Sequence, residues 1–259
     1  MATSLPFPGL LEGETLKPRV RRLARKGFGL LRAGEWRLVL NGLRHLLYSD
    51  FYTYELCRDV TVPMDVPKPA IVRTIRPIER SDVHAFTEID PTREQIGGIW
   101  RRMLASDIQT CYVAVTKEGA PCYMQYLILP SENDKVQGVL EGTLPRLAED
   151  EALLEASLTL EEYRGQGIMP FVMDDLAQKA RKEGARWLLT FVSIRNVPAL
   201  KGCRRSGFVP NMLVHRRFRL FKRRITYTPL LKGTRYPFED GGGASTPEDR
   251  RPKRSEPSR

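Results

Sequence analysis

The sequence predicts an α/β domain built around a mixed β-sheet. Three patterns indicate this class. Runs rich in β-branched and aromatic residues alternate with amphipathic helical stretches, two such runs flank a hairpin signal at residues 117–121, and a glycine-containing turn joins a strand to a helix at residues 163–168. The chain has 259 residues, 41% hydrophobic and 28% charged, which suits one globular domain with an appendage. Its longest apolar runs fall well short of the roughly 18 residues of a membrane span.

The first half of the predicted domain contains two helices and three strands. In chain order they are a strand at residues 70–77, a helix over 82–89, a helix over 94–104 and a hairpin over 111–130. Apolar residues recur at helical spacing in the second of these helices, whereas β-rich runs flank the sequence Lys-Glu-Gly-Ala-Pro in the hairpin.

The second half continues the alternation of strands and helices. It predicts a strand at 152–160, a helix at 169–184, a strand at 185–193, a short helix at 196–207 and a strand-like stretch at 211–230. Each of these two helices ends at a glycine, the residue best suited to the left-handed conformation that closes a helix. The last stretch alternates apolar and basic residues, as in a strand with one solvent-exposed face.

Composition divides the chain into three parts. Residues 1–68 form a basic helical extension that ends where three closely spaced prolines favour extended chain, residues 69–231 hold the α/β domain, and residues 232–259 form a polar tail that is expected to be mostly disordered. Within residues 15–48, apolar side chains recur at helical spacing beside arginines, which predicts two basic amphipathic helices. They either pack on the domain or bind an acidic carrier protein or an anionic membrane surface.

Charge is distributed unevenly along the chain. The net formal charge of +11 comes from +5 in residues 1–50, −6 in 51–194, +12 in 195–235 and 0 in 236–259. A basic block suits nucleic acid, a membrane surface, an acidic protein or a polyphosphate cofactor, and charge alone does not choose among them. Nucleic acid is disfavoured because the sequence lacks an RNP motif, zinc-finger spacing and a helix-turn-helix.

Other classes are also excluded or disfavoured by the sequence. The N-terminus lacks the pattern of a secretory signal, so the expected compartment is the cytoplasm, with peripheral membrane association left open. The four cysteines show no C-x-x-C spacing and the three histidines are scattered, so no metal site is expected. A Ser-His-Asp hydrolase is disfavoured because no G-x-S-x-G motif is present.

The turn Tyr-Arg-Gly-Gln-Gly-Ile at residues 163–168 is the feature that indicates chemistry most directly. Gly165 and Gly167 allow the backbone to approach a ligand, and the helix that follows directs its positive N-terminal end at the same place. The pattern is neither the P-loop nor the six-residue dinucleotide fingerprint, but it suits phosphate binding.

The order of motifs after this turn resembles a known family. It resembles motifs A and B of the GNAT superfamily of CoA-dependent N-acyltransferases. The shared order is a strand, an R-G-x-G turn, a helix, an apolar strand, Asn196 and Gly207-Phe208. The resemblance covers about residues 70–221 in element order, and its specific motifs lie within 153–208. It implies a mostly antiparallel central sheet with helices on both faces and two parallel strands that splay apart at the CoA site.

The resemblance also implies a cofactor and the residues that bind it. Acetyl-CoA or another acyl-CoA is the expected co-substrate, with no metal. Its pyrophosphate is expected at Arg164, Gly165, Gln166, Gly167 and Ile168. Its pantetheine arm and acyl carbonyl are expected at the backbone of Leu158, Thr159 and Leu160, with Asn196 contacting the arm.

The implied chemistry is direct attack of a neutral amine on a thioester. Such a reaction needs a base for the ammonium, a donor for the developing oxyanion and an acid for the leaving thiolate. Glu155 is the chosen base, directly or through a water, with a carboxylate on a solvated strand face as the alternative. A backbone amide where the strand opens is expected to serve the oxyanion.

Two departures from the family pattern affect the site. Met169 and Pro170 replace the expected small residue and an amide donor, and we expect Met169 to turn its side chain away while Pro170 starts the helix. Cys203 occupies the position where family members commonly place a tyrosine acid. Its neighbouring arginines are expected to lower its pKa. A buried structural thiol is the alternative, with water, Tyr123 or Tyr163 as acid.

These features lead to one main function and two alternatives. The main prediction is transfer of an acetyl or other short acyl group from acyl-CoA to a primary amine whose identity is not encoded in any visible motif. The first alternative uses a longer acyl chain from CoA or an acyl carrier protein. The second is a basic nucleic-acid-binding module without catalysis.

Overall fold

The computed structural model describes residues 47–87, 102–103, 106, 108–140, 142–220, 222–231, 233–236 and 238. The helices predicted over 15–48 and most of the helix predicted over 94–104 lie outside these residues, as does most of the tail.

The centre of the fold is one eight-stranded sheet in the order β2-β3-β4-β5-β6-β1-β7-β8. Its strands are β1 (Tyr48–Asp59), β2 (Val72–Pro77), β3 (Cys111–Thr116), β4 (Pro121–Ile128), β5 (Glu151–Thr159), β6 (Trp187–Ser193), β7 (Val209–Arg219) and β8 (Lys222–Pro229). Every neighbouring pair is antiparallel except β5 and β6, which are parallel. This confirms the mixed, mostly antiparallel sheet.

Helices cover both faces of this sheet. They are α1 (Arg80–Thr87), α2 (Asn133–Leu140), α3 (Ile168–Lys182) and α4 (Val197–Arg205), with short 3-10 turns at Pro130–Glu132 and Glu161–Tyr163. The buried faces of α3 and α4 pack on one side of the sheet, and those of α1 and α2 pack on the other. None of the helices within the described residues combines the length and hydrophobicity that a membrane-spanning segment requires.

Strand β1 lies inside the sheet although the sequence analysis assigned its residues to the extension. It pairs with β6 on one side, for example Cys57 with Leu189, and with β7 on the other. The sheet therefore begins before the predicted boundary at residue 69, and the prolines that suggested this boundary lie in the loop between β1 and β2. The strand was missed because its residues mix exposed and buried positions without a clean alternation.

The strand-like stretch over 211–230 is a hairpin of β7 and β8, with register pairs such as His215 with Thr226. The chain reverses at Leu220, which has φ 47° and is 74% exposed. A non-glycine residue in the left-handed region is uncommon, so the sequence carries no turn signal here. This is why one strand was predicted where there are two.

Candidate functional site

The parallel strands β5 and β6 separate at one end of their pairing. The last register pair joins Leu154 to Thr190, but β5 continues to Thr159 and β6 to Ser193. The backbone edge of residues 155–159 that faces away from β4 therefore has no strand partner within the described residues. A strand edge without a partner offers amide and carbonyl groups to a ligand.

A bulge bends β5 at the same place. Glu155 pairs with Tyr126 of β4 and Leu158 pairs with Met124, so two residues of β5 face the single residue Gln125. Within this bulge Ala156 adopts φ 53°, a strained conformation for a residue with a side chain. The bulge lies in the splayed part of β5, where the sequence analysis expected an oxyanion donor, but no contact tests that role.

The residues predicted to offer backbone groups to the acyl-CoA arm lie along this splayed segment. Leu158 and Leu160 are 8% exposed each, and the amide of Leu160 donates to the carbonyl of Cys122 over 3.1 Å. Thr159 pairs with Tyr123 of β4. The apolar side chains are thus in the core, which leaves backbone groups as the means by which this segment can contact a ligand.

We call residues 164–168, between β5 and α3, the glycine loop. Gly165 and Gly167 have φ 77° and 75°, in the region that favours glycine. A Cβ added to either residue would meet no atom within 4 Å. The two glycines are therefore required by the backbone conformation, and the space beside them is open.

Most amides at the glycine loop have no acceptor. The amide of Arg164 donates to the Glu161 carbonyl over 3.2 Å, but no backbone bond from the amides of residues 165–169 is found within the described chain. Gly167, at the N-cap position, has no side chain that could cap α3. These groups lie at the N-terminus of a helix of 15 residues, which carries about half a positive charge at that end. Such an arrangement is a binding site for an anion such as a phosphate.

Two side chains of the glycine loop face solvent. The Arg164 side chain is 45% exposed and lies 3.6 Å from the Glu161 carboxylate, a spacing at which a surface ion pair contributes little. The Nε2 group of Gln166 donates to the Glu162 carbonyl over 3.3 Å. Arg164 is therefore available to an anion at the loop, whereas Ile168 is buried and contributes its backbone.

The two departures at the start of α3 are accommodated as expected. Met169 packs against α4, since a Cβ added to Gly202 would lie 2.8 Å from its sulfur. Pro170 lies in the first turn, where the missing amide removes no helical bond, and its carbonyl accepts from the Ser206 hydroxyl at 3.3 Å. Neither side chain blocks the loop.

Asn196 lies at the end of β6 and caps α4. Its side-chain oxygen accepts from the amide of Ala199 at 3.3 Å, a bond typical of an N-cap. The residue is exposed, so its amide nitrogen remains accessible. Its predicted contact with the cofactor arm stays a prediction.

Glu155 lies on the sheet face covered by α1 and α2, next to the point where β5 and β6 separate. Loss of solvation raises the pKa of its carboxyl to about 7, an effect opposed by a hydrogen bond from the Ala156 backbone and by the charge of Arg216 on β7. The residue keeps some solvent exposure. A partly accessible carboxyl with a pKa near 7 suits a general base at neutral pH.

Arg216 is a residue that the sequence analysis did not single out. It pairs in register with Phe51 and Ile225 and points to the same face as Glu155. The signal was present in the alternation of β7, because Met212, Val214 and Phe218 share its face and are buried. An arginine at a position where the strand otherwise places apolar residues marks a special site.

Cys203 was predicted as a possible acid, and its environment argues for the structural alternative. The residue is 0% exposed and packs in the core below α3 and α4. Burial raises the pKa of its thiol to about 12, so the expectation that neighbouring arginines lower this pKa is wrong. Arg204 and Arg205 are exposed and do not offset the loss of solvation.

Tyr123, one of the alternative acids, lies near this thiol on β4. Its hydroxyl donates to Gln125 Oε1 over 2.8 Å and also interacts with Ser157 in the bulge of β5. Burial raises its pKa well above the ordinary range, with the Cys203 thiol adding to the effect. The hydroxyl is thus held as a neutral donor beside the splayed strands.

Replacing Cys203 with Ala is expected to leave the reaction almost intact. The change in kcat should be far below the roughly 10²- to 10⁴-fold that a lost proton-transfer group brings, because a fully buried thiol does not contact substrate. Steady-state kinetics and melting temperature measure the two effects. A loss of kcat of about 100-fold or more in a folded variant, with a changed alkaline limb of the pH profile, would restore the acid role.

The arrangement fits an acyl-CoA. Amides without acceptors at a helix N-terminus suit its phosphates, an exposed arginine adds charge, and the unpaired edge of β5 suits an arm that carries amide groups. Within the described residues, no group of three or more His, Cys, Asp or Glu side chains is placed to hold a metal ion.

Comparison with known proteins identifies a domain in the sequence. Residues 94–208 match the family model described as the acetyltransferase (GNAT) family. This range includes the glycine loop, both splayed strands and Asn196. A comparison with curated proteins gave no match.

Solved structures similar to this chain include three with low sequence identity. A GCN5-related glucosamine N-acetyltransferase region of a fungal multi-domain GH3 β-N-acetylglucosaminidase has 14% identity and a TM-score of 0.46, and the match covers 79% of this chain and 23% of that chain. A GNAT-family acetyltransferase from Colwellia psychrerythraea has 14% identity and a TM-score of 0.43, and the match covers 76% of this chain and 62% of that chain. A conserved protein of unknown function from Staphylococcus epidermidis has 11% identity and a TM-score of 0.46, covering 80% and 81%. This chain thus spans less than two thirds of the length of the first two of these proteins.

Proposed function

Residues 94–208 of this chain belong to the acetyltransferase (GNAT) family, and on that premise we propose that the protein transfers an acetyl or other short acyl group from acyl-CoA to a primary amine. The acceptor attacks directly, with donor and acceptor bound together. The family accounts for acyl transfer from acyl-CoA, and the chain length, the amine and the mechanism are the parts proposed here.

The observation that carries this proposal is the glycine loop. Five successive backbone amides, at residues 165–169, lack acceptors at the positive end of α3, and the space beside both glycines is open. The loop follows directly on the strand that separates from β6. A phosphate site at the loop and an unpaired strand edge leading away from it match a ligand with a pyrophosphate at one end and an amide-bearing arm.

In the proposed mechanism, residues of this chain remove a proton from the acceptor and stabilise the negative charge that develops on the acyl oxygen. The thioester of the acyl-CoA supplies an acyl carbon that a neutral amine can attack. Glu155 takes a proton from the acceptor ammonium, which frees the electron pair that forms the new C–N bond. An amide in the bulge of β5 donates to the acyl oxygen as negative charge develops there.

The broken C–S bond leaves a thiolate that needs a proton. Water is the donor we propose, because Tyr123 is as fully buried as Cys203 and burial raises the pKa of its hydroxyl well above the ordinary range, which makes it a weak acid. Tyr163, in the turn before the glycine loop, is only partly buried and is the alternative. The nitrogen loses its second proton as the C–S bond breaks, and this proton replaces the one that the thiolate takes up. The sum of these steps is an amide, free CoA and one proton released to solvent by Glu155.

The four cysteines of the chain, all within the described residues, are buried and form no disulfide. Reduced thiols suit the cytoplasm, where we propose the reaction takes place.

The Gly167→Val variant tests the phosphate site. We expect its affinity for acyl-CoA to fall about 100-fold or more, which corresponds to loss of two charge-assisted hydrogen bonds of about 1.5–3 kcal/mol each. The reason is that valine fills the open space beside the loop and resists φ 75°. Isothermal titration with acetyl-CoA and release of free thiol in the presence of amines measure binding and turnover.

Gly184→Val is the matched control. Gly184 lies just after the other end of α3, has φ 90° and also has open space beside it. Both variants therefore bear similar backbone strain of about 1–2 kcal/mol, but only one lies at the proposed phosphate site. Equal acyl-CoA affinity in the two folded variants would contradict the assignment of the loop, and failure of the unaltered protein to bind acyl-CoA would contradict the function.

A further inference from the structure

The Arg216 guanidinium lies partly buried in β7 without a hydrogen-bond or ion-pair partner among the described residues. Its Nε group is shielded from solvent and donates to nothing, whereas the side chain as a whole keeps some exposure. Loss of solvation lowers the pKa of this arginine, which shows that its surroundings do not replace the lost water. The guanidinium is thus a charged group that keeps at least one donor unused, on a side chain that is not wholly buried.

Three other arginines that are wholly or partly shielded from solvent have carboxylate partners. Arg58 lies 2.5 Å from Asp174, Arg76 lies 2.6 Å from Asp82 and Arg219 lies 2.7 Å from Asp50. Removing a guanidinium from water without such a partner is unfavourable. Arg216 departs from this pattern on a strand face that otherwise buries apolar side chains, so a role in binding accounts for it better than a role in packing.

The position of Arg216 connects it to the proposed base. Tyr227 of β8 and Glu155 of β5 both influence the pKa of its guanidinium, but it forms no ion pair with Glu155. All three side chains belong to the sheet face that carries α1 and α2. An acceptor with a positive and a negative end fits between the Glu155 carboxylate and the Arg216 guanidinium.

A second basic residue borders the same region. Arg223 of β8 is 6% exposed, and its Nη2 atom would lie 3.9 Å from a Cβ added to Gly142, in the segment between α2 and β5. That contact places the loop after α2 over the β7–β8 hairpin. Arg223 is thus a second buried guanidinium on the sheet face that carries Glu155 and Arg216.

We propose that Arg216 binds a carboxylate of the acceptor, so that the acceptor is a small amino acid or a similar compound with a primary amine and a carboxylate. This inference rests on the proposed acyltransferase function. A single guanidinium presents two parallel N–H donors that match the two oxygens of a carboxylate. The acceptor's amine then lies toward Glu155.

The test compares acceptors that differ only in this charge. The series is glycine, β-alanine and longer ω-amino acids up to 6-aminohexanoate, each beside its amide, with acetyl-CoA as donor and free thiol as readout. In the unaltered protein at least one acid should exceed its amide in kcat/KM by about 10- to 100-fold, the range of a charge-assisted hydrogen bond. The length that reacts best also measures the distance from the base to the guanidinium.

Arg216→Gln should remove this preference, mainly through KM. The ratio of acid to amide in the variant is compared with the same ratio in the unaltered protein, so differences in amine basicity cancel. Arg216→Lys keeps the charge without the paired donors and should retain part of the preference. The lysine variant also provides a test of the proposal if the glutamine variant does not fold. Arg217→Gln is the matched control, because this neighbour points to the opposite face of β7.

The possible outcomes separate the two proposals. Acyl transfer at equal efficiency to acids and amides, or an equal loss for both in Arg216→Gln, would overturn this inference and leave the acyltransferase function standing. An Arg216-dependent preference for phosphoethanolamine over every acid would overturn the choice of carboxylate. Absence of acyl-CoA binding and of thiol release with any amine would overturn the proposed function and this inference with it.

Discussion

Replacing Glu155 with Gln is expected to lower kcat by about 10²- to 10⁴-fold, the usual contribution of a general base, and to leave acyl-CoA affinity nearly unchanged. Glutamine keeps the size of the side chain and cannot take a proton from the acceptor ammonium. The carboxyl also lies beside the splayed strands and outside the glycine loop, where we propose that the phosphates bind. Single-turnover kinetics with saturating amine separate the chemical step from binding.

The pH dependence of this reaction follows from the raised pKa of Glu155. The base acts as the carboxylate, and its pKa is about 7 because burial disfavours the charge. The rate at saturating amine should therefore rise with pH up to about 7 and level off above it. In Glu155→Gln this limb should disappear from the remaining activity.

The same pKa predicts an opposite effect on stability. The folded carboxyl has a pKa above its value of 4.5 in the unfolded chain, so the folded state binds the proton more tightly. The unfavourable burial of its charge is absent below pH 4.5, grows between pH 4.5 and 7, and is complete above pH 7. Glu155→Gln should melt at a higher temperature than the unaltered protein at pH 8, with little difference at pH 4.

Glu162→Gln is the control for both measurements. Glu162 is an exposed carboxylate in the turn before the glycine loop, so it should affect neither the rate nor the melting temperature. A Glu155→Gln variant that melts higher at pH 8 but keeps full activity would contradict the base assignment and leave Glu155 as a buried acid. Loss of activity with loss of acyl-CoA binding would instead indicate damage to the donor site.

Deleting residues 1–68 is expected to abolish folding, whereas deleting residues 1–46 should leave a folded protein. The longer deletion removes β1, which lies between β6 and β7 and holds the β7–β8 hairpin to the rest of the sheet. It also removes the buried side chains of Leu56, Cys57 and Arg58. Circular dichroism and thermal melting of the two truncated proteins measure this difference. A cooperatively folded 69–259 fragment would contradict the central place of β1.

The shorter truncation makes the proposed role of the basic extension testable. We propose that residues 15–48 bind an acidic carrier protein or an anionic membrane surface. Removal of residues 1–46 should then lower kcat/KM for acyl groups on a carrier protein, or binding to anionic vesicles, far more than kcat/KM for acetyl-CoA. Equal effects on all three would indicate that these residues only pack on the domain. The truncation at residue 46 preserves β1 and keeps this comparison separate from loss of folding.

Local sequence signals were sufficient to predict most elements of the domain. The helical spacing of apolar residues in α3 and the β-rich residues Trp187–Ser193 could be recognised in the sequence, because each pattern lies within a single helix or strand. The glycine loop was found for the same reason, since Gly165 and Gly167 adopt a backbone conformation that few other residues accept. The family resemblance added the splaying of β5 and β6, which the end of their pairing at Leu154 confirms.

Other features depend on contacts between distant segments and were missed. The place of β1 in the sheet comes from pairing with strands more than 100 residues away in sequence, such as Leu56 with Thr190. The turn at Leu220 has no glycine, asparagine or proline to mark it. Burial raises the pKa of Cys203, whereas its two neighbouring arginines led to the prediction of a lowered pKa.

By itself the sequence determined the class of the fold, the family resemblance and the position of the glycine loop, because periodicity and positive φ are properties of short segments. Only the tertiary structure decided where the sheet begins, which carboxyl has a pKa near neutrality and which arginine lacks a partner. These depend on loss of solvation, and solvation is lost only when segments far apart in sequence pack together. Arg216 and its neighbour Arg217 look alike in the sequence, but the pleat of β7 sends one to the face of Glu155 and the other to the opposite face.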